Sequence, residues 1–289
     1  MNLASHFFSK TRESKTAPLS RTPADVLPEV RRPGFTFSGD IPRYWWGGDP
    51  VRTLLLSALS ASFPPGEKFF IQSVRHYQDQ ITDPELQDAV RRFIGQEAQH
   101  SKEHHVFNEF LEARGVRVAA VEERIANLLA RMRREHSPER QLAHTVSVEH
   151  FTALLSEELL LKFDEALDDM DPAVAPIWAW HAIEETEHKA VAFDVYRAVG
   201  GSERVRIQEM LVTSLLFPLH TTLSLLKLME EAGELANVGG WLRAFEWFWI
   251  RPGVFRKMLP AYLRFFSPDF HPWNQDTRAL VEKARRRWL

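Results

Sequence analysis

Two short segments of the 289-residue chain repeat one pattern, Glu97-Ala98-Gln99-His100 and Glu185-Thr186-Glu187-His188. On a helix, residues three apart are neighbours on one face, so a carboxylate and an imidazole at this spacing can reach the same cation. A single Glu-x-x-His is usually surface decoration. Two of them, on helices separated by a third that offers its own inward glutamate, point to a metal centre. His181 narrows the reading, because His181, Glu185 and His188 are four and then three apart and share one helical face. The sequence contains no cysteine, so a thiolate site, an iron-sulfur cluster, a disulfide and a thiol nucleophile are all excluded. Any metal must sit on nitrogen and oxygen.

Further carboxylates are expected from two other helices. Glu67 has Phe63, Pro64, Phe70 and Ile71 three and four positions away, an apolar stripe on which an uncompensated carboxylate is costly. The competing reading places Glu67 in the first turn of a helix begun by Pro64-Pro65, where it would simply favour the positive dipole end. Glu149 has Thr145, Val146, Thr152 and Ala153 on its face, small or apolar residues that leave room for a cation. Glu157 and Glu158 are its rivals, and Glu157 is kept as a residue that supports the ligands from behind. His104, one turn beyond His100, and Glu184, beside Glu185, are assigned the same supporting role. His76, His105, His144 and His150 have no comparable partners and are read as ordinary surface or core residues.

The elements that must position these groups are all helical. Residues 51–80, 84–114, 139–168 and 173–199 carry helical periodicity between Pro, Gly or Asp punctuation such as Thr82-Asp83-Pro84. No strand pattern competes. The Arg- and Glu-rich stretch from Val116 to Glu139 reads as a long crossover between the second and third helices. The expected fold is therefore all-α, a ferritin-like four-helix bundle with additional C-terminal helices. Residues 1–50 form an N-terminal arm, whose first stretch through Pro33 is expected to carry no chemistry, and an aromatic loop packed across the helical body, residues 51–200 the metal-binding bundle, and residues 201–289 an apolar and aromatic tail. From Leu211 to Met229 that tail is almost wholly apolar. It reads as a buried or interfacial helix rather than a spanning one. The aromatic and basic residues that follow suit the bundle, a second copy in a homodimer, or a membrane surface. A formal net charge of −3, from 36 basic and 39 acidic residues, gives no reason to expect nucleic acid as a partner. The polar N-terminus lacks the apolar core of a secretory signal, so the expected location is cytoplasmic, with contact at the inner face of the membrane if the tail meets lipid.

The order Glu67, Glu97-x-x-His100, Glu149, Glu185-x-x-His188 resembles the ligand order of ferritin-like di-iron carboxylate proteins. The extra His181 is similar to the additional histidine of the aminobenzoate N-oxygenases, which oxidise aryl amines at a di-iron centre. The text around Glu149-His150-Phe151-Thr152-Ala153 and Trp180-His181-Ala182-Ile183-Glu184-Glu185-Thr186-Glu187-His188-Lys189 also resembles a bacterial family of predicted metal-dependent hydrolases, over about residues 30–270. These resemblances imply two metal ions, iron foremost, with manganese or zinc compatible with the donor set. They imply Glu67 and Glu185 at the ends, Glu97 and Glu149 bridging, and His100, His181 and His188 supplying nitrogen. The expected activity is O2-dependent oxidation of a hydrophobic small molecule or lipid-like substrate, in a pocket lined by Phe63, Phe70, Ile71 and Trp178 and supplied by an electron donor. The alternative is hydrolysis by water activated between two ions about 3.5–4 Å apart. Metal binding without catalysis is the third reading.

Overall fold

Asp-Pro and Ser-Pro pairs open three of the long helices, because a short polar side chain caps the free N–H groups while proline has no N–H to leave unpaired. Asp49 accepts from the Arg52 N–H ahead of α1 (Pro50–Arg75), Asp83 from Glu85 ahead of α2 (Pro84–Ala113), and Ser137 from Arg140 ahead of α4 (Pro138–Leu155). The computed structural model describes residues 22, 23, 26–161 and 164–289. The first part of the arm, with Lys10, Arg12, Lys15 and Pro18, lies outside the described residues.

Between α2 and α4, α3 (Ala119–Glu135) occupies the stretch expected to be a crossover. Val121, Ile125, Leu129 and Met132 recur every three or four positions, which gives it an apolar stripe to lay against α1. α4 continues into a π-helical turn, Ser156–Leu161, and a short α5 (Asp164–Asp168). The fourth long expected helix is divided into α6 (Ala175–His188) and α7 (Val191–Ala198), broken just after His188. The tail forms α8 (Glu203–Glu231), α9 (Val238–Phe245) with a π turn at Glu246–Ile250, α10 (Val254–Arg264) and α11 (Arg278–Trp288). Among the described residues there is no strand, only one isolated bridge between Trp46 and Met170. The protein is all-helical.

Helices α1, α2, α6 and α4 are neighbours in that cyclic order, each packing on the next. α6 lies at the centre, with every residue but Pro176 buried. The helix is hydrophobic at Ile177, Trp178, Trp180 and Ile183, and yet it also buries His181, Glu184, Glu185, Glu187 and His188. A helix enclosed on all sides needs partners for such groups on every side.

Proline within α1 changes the reading of Glu67. The helix runs unbroken through Pro64 and Pro65, so Glu67 lies in its interior, far from the N-terminal dipole end. Pro64 has no N–H to give the Ser60 carbonyl four residues earlier. That carbonyl accepts from Asn108 Nδ2 of α2 at 3.1 Å instead.

The described part of the arm crosses α2 and α6 without regular secondary structure. Gly95 permits this on α2, since a Cβ there would come within 2.7 Å of Val30. Phe35 packs edge-on to Trp180 and Phe37 against Phe107. The aromatic loop that follows is fixed to the connection before α6: Gly47 N–H donates to the Asp169 carbonyl, and Asp171 N–H to that of Trp45. Gly47 has φ of +57°, and a Cβ there would meet Arg52 and Asp169, so glycine is required. Trp45, fully buried, stacks on Trp178; truncation of such a ring to alanine costs about 3–5 kcal/mol.

Candidate metal centre

Each of the four central helices delivers ionisable groups to one buried region. α1 brings Glu67, α2 brings Glu97 and His100, α4 brings Glu149, and α6 brings His181, Glu185 and His188. None is more than 3% exposed. Three sets of donor atoms lie within 4.8 Å of one another and could each hold a cation: Glu67, His100 and His181; Glu97, Glu149 and His188; Glu97, His100 and Glu185. Together these sets contain all seven residues singled out in the sequence as ligands.

Unpaired polar atoms test whether metal suits this place. Nine buried side-chain atoms here make no well-aligned hydrogen bond, both carboxylate oxygens of Glu67, Glu97 and Glu149, Glu185 Oε2, His100 Nδ1 and His188 Nε2, although the two imidazole nitrogens lie within ion-pair distance of the carboxylates. Leaving one such atom unsatisfied costs about 1–3 kcal/mol, so nine in one place cannot be incidental. Oxygen and imidazole nitrogen converging without well-aligned hydrogen bonds is what a pair of hard or borderline cations requires.

Glu185 holds the middle. Its Oε1 is 3.4 Å from His181 Nε2 and 3.6 Å from both His100 Nδ1 and His188 Nε2. Glu149 lies at the His188 end, 3.4 Å from its Nε2, and Glu97 approaches the same nitrogen at 3.1 Å. Glu97 and Glu185 therefore occupy the central positions, Glu67 and Glu149 the two ends. The family resemblance implied a different division, with Glu149 bridging and Glu185 at an end.

Every histidine of the set is oriented from behind through its other nitrogen, which selects the tautomer that aims a lone pair inward. His100 Nε2 faces Glu184 Oε2 at 3.1 Å, and Glu184 also accepts from Trp180 Nε1 at 2.9 Å and from Arg31. His188 Nδ1 donates to Gln96 Oε1 at 3.0 Å, while the Gln96 amide donates to Glu187. His181 Nδ1 faces His104 Nε2 at 3.0 Å, His104 Nδ1 faces Ser60 Oγ at 2.9 Å, and the Ser60 hydroxyl donates to Asn108 Oδ1. With Ser60 donating onward, the chain has one consistent direction: His104 donates to Ser60, and His181 donates to His104. The proline that frees the Ser60 carbonyl for Asn108 thus belongs to the support of His181. Glu157 faces a different group of residues, paired with Lys189 Nζ at 2.8 Å and accepting from Gln275.

Burial shifts these groups strongly. Loss of water pushes Glu67 and Glu97 well above the usual carboxylate range, and neighbouring carboxylates add to the shift. Glu149 is raised to about 7 by burial and by Glu185. Burial opposes charge on His100 and His188, but the surrounding carboxylates outweigh it, taking His100 up to about 10 and His188 well above its ordinary value. His181, with less carboxylate around it, is held down at about 3 by burial and by the charge of His100. Without a cation, protons neutralise the cluster; a cation displaces them.

Several supporting residues carried no signal in the sequence. Arg31 of the arm donates to both Glu184 and Glu187, and Arg285 of α11 caps Glu187 with two hydrogen bonds. The arm, expected to carry no chemistry, therefore braces the acids behind two of the three histidines. Gln96 was detectable only as the residue beside Glu97.

A family profile described as "predicted metal-dependent hydrolase" matches residues 29–276 of the chain. The chain belongs to this family. No curated protein and no solved structure matches it. The profile of the predicted metal-dependent hydrolases spans all four central helices, the part of the arm that carries Arg31 and most of the tail. Its name accords with a buried cluster of carboxylates and imidazoles able to bind metal.

Proposed function

We propose that the protein is a dinuclear metal-dependent hydrolase, built on a ferritin-like four-helix core in which α1, α2, α4 and α6 supply the ligands. The nine oxygen and nitrogen atoms that converge between those helices without well-aligned hydrogen bonds carry this reading, together with the family match. Glu67, His100 and His181 would hold one ion and Glu149 and His188 the other, with Glu97 and Glu185 between them. Four carboxylates balance two divalent ions in charge, and the mixed donor set accepts iron, manganese or zinc. Bound divalent ions would polarise a carbonyl or phosphoryl oxygen and lower the pKa of water, and a pair of irons would add redox chemistry with O2. The chain's own part is to hold the histidine lone pairs inward through Glu184, Gln96 and His104 and to exclude bulk water from the cluster.

A second reading, O2-dependent oxidation of a hydrophobic or lipid-like substrate with an external electron donor, is favoured by the walls of the site. Phe63 stacks on His181 with centroids 4.6 Å apart, Trp180 packs edge-on to His100, and Phe93 edge-on to His188. Aromatic packing of this kind suits apolar ligands more readily than hydrated ones.

Metal analysis of protein produced with iron, manganese or zinc, followed by assays on chromogenic esters and phosphoesters and by O2 uptake of the reduced iron form, separates the readings. About two ions per chain with hydrolysis supports the proposal, and O2 consumption without hydrolysis supports the second reading. A chain that binds no stoichiometric metal in any of the three forms would falsify both.

A further inference from the structure

Fifteen of the nineteen exposed large apolar side chains among the described residues lie between Leu211 and Leu263, less than a fifth of the chain. Scattered exposed leucines are normal, but such a concentration marks an interaction surface. On α8, Leu211, Leu215, Leu219, Leu223 and Leu226 repeat every three or four residues along the outer face, and Leu215 is 68% exposed. The stripe runs about 22 Å along the helix. On α9 and its π turn, Val238, Leu242, Phe245 and Trp249 form a second exposed stripe, and Leu259 and Leu263 extend the pattern on α10. Ser214 of α8 and Tyr262 of α10 are joined at 2.8 Å, and Phe151 of α4 packs on both Phe217 and Tyr262. α8 and α10 both pack on α4 and touch each other at this point.

We infer that this face is a docking surface for an anionic lipid bilayer, on which the protein lies without crossing it. α8 is long and apolar enough to span a membrane by length and composition. Its opposite face, however, buries Met210, Thr213, Ser224, Leu225, Leu228 and Met229 and packs on α1 and α4, so the helix cannot leave the protein to span. Charge selects the occupant. Residues 238–266 contain five basic side chains, Arg243, Arg251, Arg256, Lys257 and Arg264, and one acidic, Glu246. Arginine and lysine beside exposed Trp, Phe and Leu are the composition of a helix lying in the interface of an anionic bilayer. A second copy docked with its two-fold axis through this basic segment is disfavoured, because the axis would bring like charges together. The inference is independent of the metal reading.

Flotation of the full chain with vesicles of phosphatidylcholine, alone or mixed with phosphatidylglycerol, tests it. Recovery with the phosphatidylglycerol vesicles is expected, weakened by salt. The double variant Leu215→Asp/Leu219→Asp should lower recovery by about tenfold or more, since each change places a charge where acyl chains would lie. Arg251→Glu/Arg256→Glu should remove only the preference for phosphatidylglycerol. Helix content and metal content, read in parallel, should be unchanged in both variants. Failure of the wild type to float with either vesicle, or flotation unchanged in Leu215→Asp/Leu219→Asp, overturns the inference. So does a wild-type dimer without vesicles that this variant splits, an outcome that assigns the face to a second copy.

Discussion

The centre of the protein and its α8–α10 face invert the usual polarity of a folded chain in opposite senses. Around α6, four glutamates and three histidines are buried among aromatic rings. Along α8, leucines face outward at helical spacing. Both arrangements cost free energy in the isolated chain, and each is relieved by something the chain does not itself supply. The charged interior needs cations small enough to reach atoms within 4.8 Å of each other. The apolar exterior suits the extended surface inferred for it. Satisfaction behind the interior groups is nearly complete, with Glu184, Gln96, His104 and Arg31 in place, so rigidity is built in on the inside. The outer face has no such backing, which accords with an adaptable, non-directional contact.

The largest effects should follow from removing ligands at the centre. Glu97→Ala or His188→Ala is expected to lower the metal content per chain, with affinity falling by more than the roughly 10–100-fold typical of supporting residues; titration with a competing chelator reads this directly. Metal retained at wild-type stoichiometry in both variants would break the account of the interior. Next come the residues behind the ligands: Gln96→Ala and Glu184→Gln should each cost about 10–100-fold in metal affinity or activity, with helix content by circular dichroism unchanged.

Proton competition gives a third test. Glu149 holds its proton up to about pH 7 in the metal-free protein and His100 holds its own up to about 10, so metal affinity should rise steeply with pH through 7 and continue to rise above it. The contribution of Glu149 to the stability of the metal-free form should move the other way. A carboxyl whose folded pKa is raised binds more protons folded than unfolded, so its contribution to stability falls as pH rises from about 4.5 to about 7. Glu67→Gln, which replaces a second carboxyl raised by burial, should flatten that decline in urea unfolding curves taken across the same range, and a decline as steep as in wild type would contradict it. The smallest effect belongs to the exterior: Leu219→Ser should change stability in water by no more than about 0.5 kcal/mol. A larger loss, measured by the same unfolding curves, would show that the face is part of the fold and would dissolve the contrast.

Glu-x-x-His spacing, the His181 register and the helical neighbours of Glu67 and of Glu149 made the seven central residues legible, since all are properties of a single helix. Of the three Pro-led helix openings, only Asp83-Pro84 was read from the sequence; those at Pro50 and Pro138 lie one residue outside the expected helices. The expected helix through Val199 was not resolved into α6 and α7, and α3 was read as a connection, because its apolar stripe is sparse among arginines and glutamates. Gln96, Glu187, Arg31, Ser60 and Asn108 escaped notice because their roles depend on partners far away in the chain, 153 residues for Arg31 and Glu184.

What the amino-acid order determined by itself is periodicity: which residues share a helical face, and hence which carboxylates and imidazoles can act as a unit. Tertiary structure decided what periodicity cannot encode. It set Glu185 rather than Glu149 in the middle of the cluster, made α6 the enclosed helix, and left one side of α8 bare. The reason is that a helix specifies the angle of each side chain about its own axis, whereas the distance between groups on different helices is set by packing of the whole.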